Sequence, residues 1–194
     1  MKISSQLFEG QFLQLSAIDP DQDPQVEVNW TYDLDYARKI ISDGPAHPLT
    51  VFELKKQYEK WQKGAEEKRD QFYFGFHLRE DDRLIGFMRV PWVAWTSGDA
   101  FLQIDIGDPE MQSRYGAEAM SLALNYLFQE LNVFRVGMLV PEYNLVERSL
   151  CEEAGFVLEV IRRQSCYREG RLWDRYLYGL LQFEFFKGLN EEEK

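Results

Sequence analysis

The residues of this sequence best placed to do chemistry lie between Ile104 and Ala117. An apolar strand pattern ends at Ile106 and a polar turn follows from Asp108 to Ala117. A long amphipathic helix comes next. Unpaired N–H groups and the positive end of a helix dipole converge at such a junction, which makes it a site for phosphate. Gly116 lets the backbone approach a bound group closely, and Arg114 offers a charge for phosphate to pair with. Just before the turn, Asp105 interrupts the apolar strand. Leu102, Ile104 and Ile106 share one face of that strand, while Asp105 shares the other with Gln103. A phosphate-bearing ligand at the carboxyl end of a strand points to an enzyme.

The elements that must position these residues can be read from periodicity. Phe8 to Leu15 suggest an opening strand, and the run Asp19 to Pro24 reads as an acidic loop. A short helix is expected from Leu34 to Ile41. Thr50 and Glu53 form a capping box that starts a second helix ending near Gly64 to Lys68. Phe72 to Leu78 and Leu84 to Val90 alternate as a hairpin that Pro91 ends. Phe101 to Ile106 is the next strand. Met120, Leu124, Leu127, Phe128 and Leu131 make the apolar stripe of the long helix. Phe134 to Val140 is a strand closed by Pro141. Asn144 to Ala154 is a short helix stopped by Gly155. Two final strands flank Arg168-Glu169-Gly170. This order suggests one mixed α/β domain over residues 1–194, with residues 187–194 a frayed acidic tail. The strands from Phe101 and Phe134, joined by the long helix, should be parallel neighbours.

Composition narrows the partners. The net charge of −11 repels nucleic acid and favours a cationic small molecule or basic peptide, although acidity can also serve solubility alone. Cys151 and Cys166 make neither a metal pattern nor a disulfide framework, and His47 and His77 have no ligand cluster near them, so no metal is expected. No apolar run is long enough to span a bilayer, and Met1 to Gln6 lacks the apolar core of a signal peptide. The expected location is the cytoplasm, with no membrane partner. The chain is expected to be a monomer or homodimer. Aromatic residues at 15% call for a large core or an aromatic-lined cleft, with Trp30, Tyr32, Trp92, Trp95 and Trp173 as lining candidates.

The motifs Ile106-Gly107-Asp108-Pro109-Glu110, Tyr115-Gly116-Ala117-Glu118-Ala119, Phe134-Arg135-Val136, Tyr143-Asn144 and Ala154-Gly155-Phe156 together resemble the GNAT superfamily of acyl-CoA-dependent N-acetyltransferases. The likeness is nearest to the branch that acetylates ribosomal protein N-termini. It implies a twisted, mostly antiparallel sheet with helices on both faces, splayed between two parallel middle strands. It also implies acetyl-CoA as co-substrate. Backbone groups of Ile104 and Ile106 would bond the pantetheine amides. Turn amides of Gln112, Ser113, Arg114, Tyr115, Gly116 and Ala117 would hold the pyrophosphate. Asn144 matches a position that contacts the cofactor.

The chain departs from that pattern at three places. Met111 stands where the family has Gln or Arg, and Arg114 replaces the first glycine. At positive φ the Arg114 side chain clashes with pyrophosphate; turned outward it helps. Cys151 stands where many members have the tyrosine that protonates the departing thiolate. It is either that acid or a buried helix residue, with Tyr143, Tyr167 or water as replacements. Direct transfer to a primary amine needs a base, because an ordinary amine is only about one part in a thousand neutral at pH 7. Asp105 is the candidate base, or else a hydrogen-bonded strand residue. The sequence therefore points to an N-acetyltransferase acting on a small cationic amine or a peptide N-terminus. The alternative is a non-catalytic member that binds acyl-CoA or a partner protein. A weaker third reading is another acyl donor or phosphate ligand on the same β-α-β unit.

Overall fold

Alternation and capping, read along the chain, account for most of the elements of the computed structural model, which describes residues 7–41 and 45–192, with side chains as far as 188. In chain order these are β1 (Leu13–Ala17), α1 (Asp23–Trp30), α2 (Leu34–Ile40), α3 (Val51–Lys68), β2 (Phe72–Leu78), β3 (Leu84–Ala94), β4 (Asp99–Ile106), α4 (Pro109–Asn125), β5 (Arg135–Pro141), α5 (Leu145–Glu153), β6 (Val157–Arg168), β7 (Arg171–Leu181) and α6 (Gln182–Glu192). The strands form one sheet in the order β1-β2-β3-β4-β5-β7-β6, and among the described residues only β4 and β5 run parallel. The expected mixed α/β fold, with helices on both faces, is the one observed.

The capping box of α3 is made in full. Glu53 N–H donates to Thr50 Oγ1 at 3.3 Å, and Thr50 N–H donates to Glu53 Oε2 at 2.8 Å. That fixes the start of α3 and turns Leu54 and Tyr58 inward. On the opposite face of the sheet, α4 buries Ala119, Met120, Leu122, Ala123 and Leu124. Its last turn widens into a five-residue π-helix, Tyr126–Glu130, which carries Leu127 and Phe128 into the core. Each fully buried side chain of that size contributes about 1.5–3 kcal/mol, enough to hold α4 firmly under β4.

Away from the start of α4, three elements differ from expectation. The acidic stretch read as a loop ends in α1, because Pro24 sits in the first helical turn, where its missing N–H costs nothing. β3 does not stop at Pro91 but runs on to Ala94, and its ladder with β4 shifts register between Arg89 and Trp92, where an irregularity accommodates the proline. Residues 187–192, expected in the tail, continue α6. Met1 to Gln6, Glu193 and Lys194 lie outside the described residues.

The parallel pair at the centre positions the site. β4 and β5 pair at Asp99↔Arg135, Ala100↔Val136 and Phe101↔Gly137, and among the described residues the ladder then stops. One end is clamped: Phe134 and Arg135 N–H both donate to Gly98 O, at 2.7 and 3.0 Å, and Arg135 Nη1 reaches Asp99 at 2.8 Å. Beyond the clamp each strand follows its outer neighbour. β5 pairs with β7 from Arg135 to Pro141, whereas β4 pairs with β3 up to Ile106. Sheet twist then opens a wedge between them.

Candidate active site

The wedge exposes backbone, and parity says which. Gly107 N–H donates to Ile85 O at 3.0 Å. In an antiparallel ladder, alternate residues point their polar groups at the same neighbour. Asp105 and Gln103 therefore aim their N–H and C=O at β3, while Leu102, Ile104 and Ile106 aim theirs into the wedge. The gap is thus edged by unpaired peptide groups, and Asp105 sits about 13 Å beyond the last ladder pair at a strand rise of about 3.3 Å per residue.

Two cavities meet at this opening. One, of about 200 Å³, lies at the mouth of the wedge beside Ile106, Gly107, Pro109 and Gln112. The other, of about 370 Å³, runs along the Gln103 and Asp105 face of β4 to Met138, Leu139 and the β6–β7 hairpin. Both are walled by Asp35, Lys39, Tyr143 and Asn144. The roof is α2. Asp33 caps it, accepting from Asp35 and Tyr36 N–H, and Asp35 holds Arg168 of the hairpin through bonds of 2.9 and 2.7 Å. Arg168 lies over the Tyr143 ring at 4.5 Å, and Tyr143 packs edge-on against Trp173.

A chain of alternating charge runs beneath that roof. Glu27 accepts from Tyr36 Oη at 2.9 Å, Tyr58 Oη at 2.5 Å and Arg89 Nη2 at 2.9 Å. Arg89 Nη1 donates to Asp105 Oδ2 at 2.5 Å. Lys39 Nζ stands 3.7 Å from Asp105 Oδ1 and 3.1 Å from Glu147 Oε2, and Asn144 Nδ2 donates to the same Glu147 oxygen at 2.6 Å. Burial pushes the Glu147 carboxyl above its ordinary range, and Lys39 pulls it only part of the way back. Burial alone would lower Lys39, but attraction to Glu147 and Asp105 outweighs it and leaves the ammonium raised. Burial also raises the Tyr143 phenol, with Asp35 adding to the shift. Three carboxylates face two cations, so the cluster keeps one unmatched negative charge.

The expected site residues fall into three groups. Asp105, Ile104, Ile106 and Asn144 meet at the wedge. Asp105 is 2% exposed and engaged by Arg89 and Lys39, and Asn144 caps α5, accepting from Glu147 N–H at 3.2 Å. Gln112, Ser113, Arg114, Tyr115, Gly116 and Ala117 do not form the expected turn, because α4 already begins at Pro109. Asp108 caps it through Glu110 and Met111 N–H, and Gln112 N–H is spent on Asp108 O at 2.8 Å. Asp108-Pro109 is a strong helix start, and without the family's glycines nothing holds the helix off. Tyr115 is buried against Phe12, and the exposed Arg114 lies over the Tyr115 ring rather than in the wedge. At Gly116 a Cβ would meet Leu150 Cδ1 at 2.7 Å, so this glycine serves the approach of α4 to α5. Cys151 forms the third group. It is fully buried in the core, its thiol 3.8 Å from Met138 Sδ and raised by burial. Of the aromatic candidates, Trp30 packs on Tyr36 and Phe87, and Trp92 stacks on Phe101.

Residues 13–157 match the acetyltransferase (GNAT) domain. The chain belongs to the acetyltransferase (GNAT) family. It is similar to "Uncharacterized N-acetyltransferase p20" of Bacillus licheniformis, 27% identical over 112 residues, 58% of this chain and 63% of that protein. It is also similar to "Probable N-acetyltransferase YjcK" of Bacillus subtilis (strain 168), 28% identical over 133 residues, 68% of this chain and 73% of that one. The match to p20 therefore spans less than two thirds of that relative. Among solved structures, the spermidine N-acetyltransferase from Vibrio cholerae in complex with CoA and spermine shares the fold with a TM-score of 0.77, at 23% identity, over 91% of this chain and 99% of that chain. The match places an acetyltransferase domain on most of the described chain, and the GNAT family uses acetyl-CoA as co-substrate.

In this GNAT acetyltransferase the groups that close the wedge, Lys39 and Glu147, were not among the sequence candidates. Lys39 reaches the site only because α2 folds over the sheet. Glu147 did carry a signal, since Asn144 followed three residues later by a glutamate is the pattern of a capping box.

Proposed function

We propose that the protein transfers an acetyl group directly from acetyl-CoA to a primary amine on a small acceptor with more than one cationic group. The observation that carries this reading is the parting of β4 and β5 beyond Phe101 and Gly137, with unpaired peptide groups on one edge and beside it a cavity whose Asp105 and Glu147 carboxylates already hold an ammonium. Pantetheine would bond the wedge-facing peptides of Ile104 and Ile106. The N-terminal end of α4, with Gln112, Ser113 and the exposed Arg114, would face the pyrophosphate, and Asn144 the donor at the mouth.

Within this proposal Glu147 is the base. It already touches an ammonium, its carboxyl is raised towards the useful range, and Asn144 orients it. Asp105 is held between Arg89 and Lys39 and positions the cations. The acceptor gives a proton to Glu147, and its lone pair attacks the thioester carbonyl. The wedge-facing N–H groups of β4 receive the oxyanion. Tyr143, which borders both cavities and is kept protonated by its burial, returns a proton to the leaving thiolate. The second cationic group of the acceptor pairs with Asp33 at the roof, since Asp35 is held by Arg168.

The hold of Glu147 and Asp105 on the Lys39 ammonium supports the small-amine acceptor, as does the complex of the Vibrio cholerae relative with spermine. The resemblance to the ribosomal N-terminal branch supports a peptide N-terminus as the second acceptor class. A non-catalytic acyl-CoA binder is favoured by one observation, the burial in the core of Cys151, which stands where the family pattern has its acid. Calorimetric titration with acetyl-CoA, followed by a thiol-release screen of polyamines and N-terminal peptides, separates these readings. Saturable binding with amine-dependent thiol release is expected. Binding without release would favour the non-catalytic reading, and no binding would overturn the proposal.

A further inference from the structure

Lys39 already holds the carboxylate that, in the transferase reading above, receives the acceptor's proton. Its Nζ lies between β4 and the start of α5, at the junction of the two cavities, 3.1 Å from the carboxylate assigned above as the base. It enters from α2, whose hold on the hairpin through Asp35 and Arg168 fixes the direction of approach. None of the other lysines of the described side chains borders either cavity: Lys55, Lys56, Lys60, Lys63 and Lys68 belong to α3 and Lys187 to α6.

We propose that Lys39 is itself an acceptor: the protein acetylates its own Lys39 Nζ from bound acetyl-CoA. This rests on the transferase reading above. The Lys39 ammonium passes one proton to Glu147. The freed lone pair forms a C–N bond to the thioester carbonyl carbon, and the C–S bond breaks with its electron pair leaving on sulfur. The nitrogen then sheds a second proton, which reaches the thiolate through Tyr143 or water. The products are Nε-acetyl-Lys39, CoA as its thiol, and one proton that Glu147 returns to solvent. A tethered amine next to the donor gains from proximity, where effective molarities reach about 10⁵ M or more in well-oriented cases. The modification also changes the site. Acetyl-Lys39 is neutral, so Glu147 loses its cation and the cleft becomes more attractive to an external polycation.

The test uses the full-length protein incubated with acetyl-CoA and no amine. Intact mass should show one added acetyl group, and peptide mapping should place it on Lys39. Its first-order rate should not depend on protein concentration. Lys39→Arg should remove that label. Glu147→Gln should slow it about 100-fold or more, while slow background labelling of exposed α3 lysines such as Lys60 and Lys63 continues. The inference is overturned by an unlabelled Lys39, by label spread evenly over the α3 lysines, by second-order dependence on protein, or by a wild-type rate in Glu147→Gln. Acetyl-CoA binding and amine-dependent thiol release are measured on the same samples. If both hold while Lys39 stays unlabelled, self-acetylation fails and the transferase reading stands. If neither holds, the transferase reading fails and takes the inference with it.

Discussion

Lys39 Nζ lies 3.1 Å from Glu147 Oε2, and through this pair a lysine on the roof helix closes the open end of the β4–β5 wedge with charge instead of backbone hydrogen bonds. An acceptor ammonium that reaches the wedge must displace Lys39 or replace it on the same carboxylate.

Replacing Glu147 by Gln keeps its size and the Asn144 contact but removes the base. Loss of a positioned general base costs about 10²–10⁴-fold in rate. The expected outcome is a kcat lowered by that order with acetyl-CoA affinity within about threefold of wild type, since the wedge peptides of Ile104 and Ile106 are untouched. Stopped thiol release and calorimetry check the two halves. If Asp105→Asn abolished turnover and Glu147→Gln did not, the base would be Asp105.

The pH dependence follows from the same pair. Burial raises Glu147 above the ordinary carboxylate value of about 4.3, and Lys39 opposes that rise. A base works only when ionised, so activity should fall as pH drops through the raised value, higher than for an exposed glutamate. Lys39→Met removes the opposing charge and should move the acid limb of kcat/KM to still higher pH. Profiles of kcat/KM for both proteins decide this, and an acid limb that stays in place would assign it to another group.

Much of the fold was open to reading because local signals agreed. Alternation marked β2, β4 and β5, Thr50 with Glu53 marked α3, and Gly155, at a φ of +89°, marked the end of α5. The site was half legible. Asp105 and Asn144 lie on a strand and a helix start that the sequence announces, and both reach the wedge. Asp108-Pro109 starts a helix at once, so the segment Gln112 to Ala117, expected as a turn, lies inside α4. Lys39 was invisible because its partners are distant in sequence and meet it only through the packing of α2 on Arg168. The extent of the wedge was hidden too, since the register at which a ladder stops depends on the twist of β7 and β3 rather than on residues in the gap.

Stability should depend on the far end of the charged chain. Arg89 is 3% exposed, bridges Glu27 and Asp105, and stacks over Trp61 at 4.7 Å. Arg89→Met fits the space but leaves two buried carboxylates without their shared cation. Breaking a buried pair from one side costs about 3–5 kcal/mol. Urea unfolding should show that loss, and Arg89→Lys should recover only part of it, because an ammonium cannot reach both carboxylates as the guanidinium fork does. A change below about 1 kcal/mol would mean that water already screens the cluster.

The α4 N-terminus gives the last prediction. In the family pattern this end receives pyrophosphate, yet here Asp108 holds the Glu110 and Met111 N–H groups with its own negative charge. Asp108→Asn keeps a good cap while removing the charge. An anion near a helix N-terminus is stabilised by about 0.3–1 kcal/mol, and a resident carboxylate opposes a second anion by a similar amount. The variant should therefore bind acetyl-CoA about two- to fivefold more tightly at low salt, with the gain fading as salt rises. Acetyl-pantetheine, which lacks the pyrophosphate, should bind wild type and variant alike. Titrating both ligands against both proteins checks this. An equal gain for both would mean that Asp108 acts through the shape of the helix start, whereas a gain for acetyl-CoA alone places the pyrophosphate beside α4.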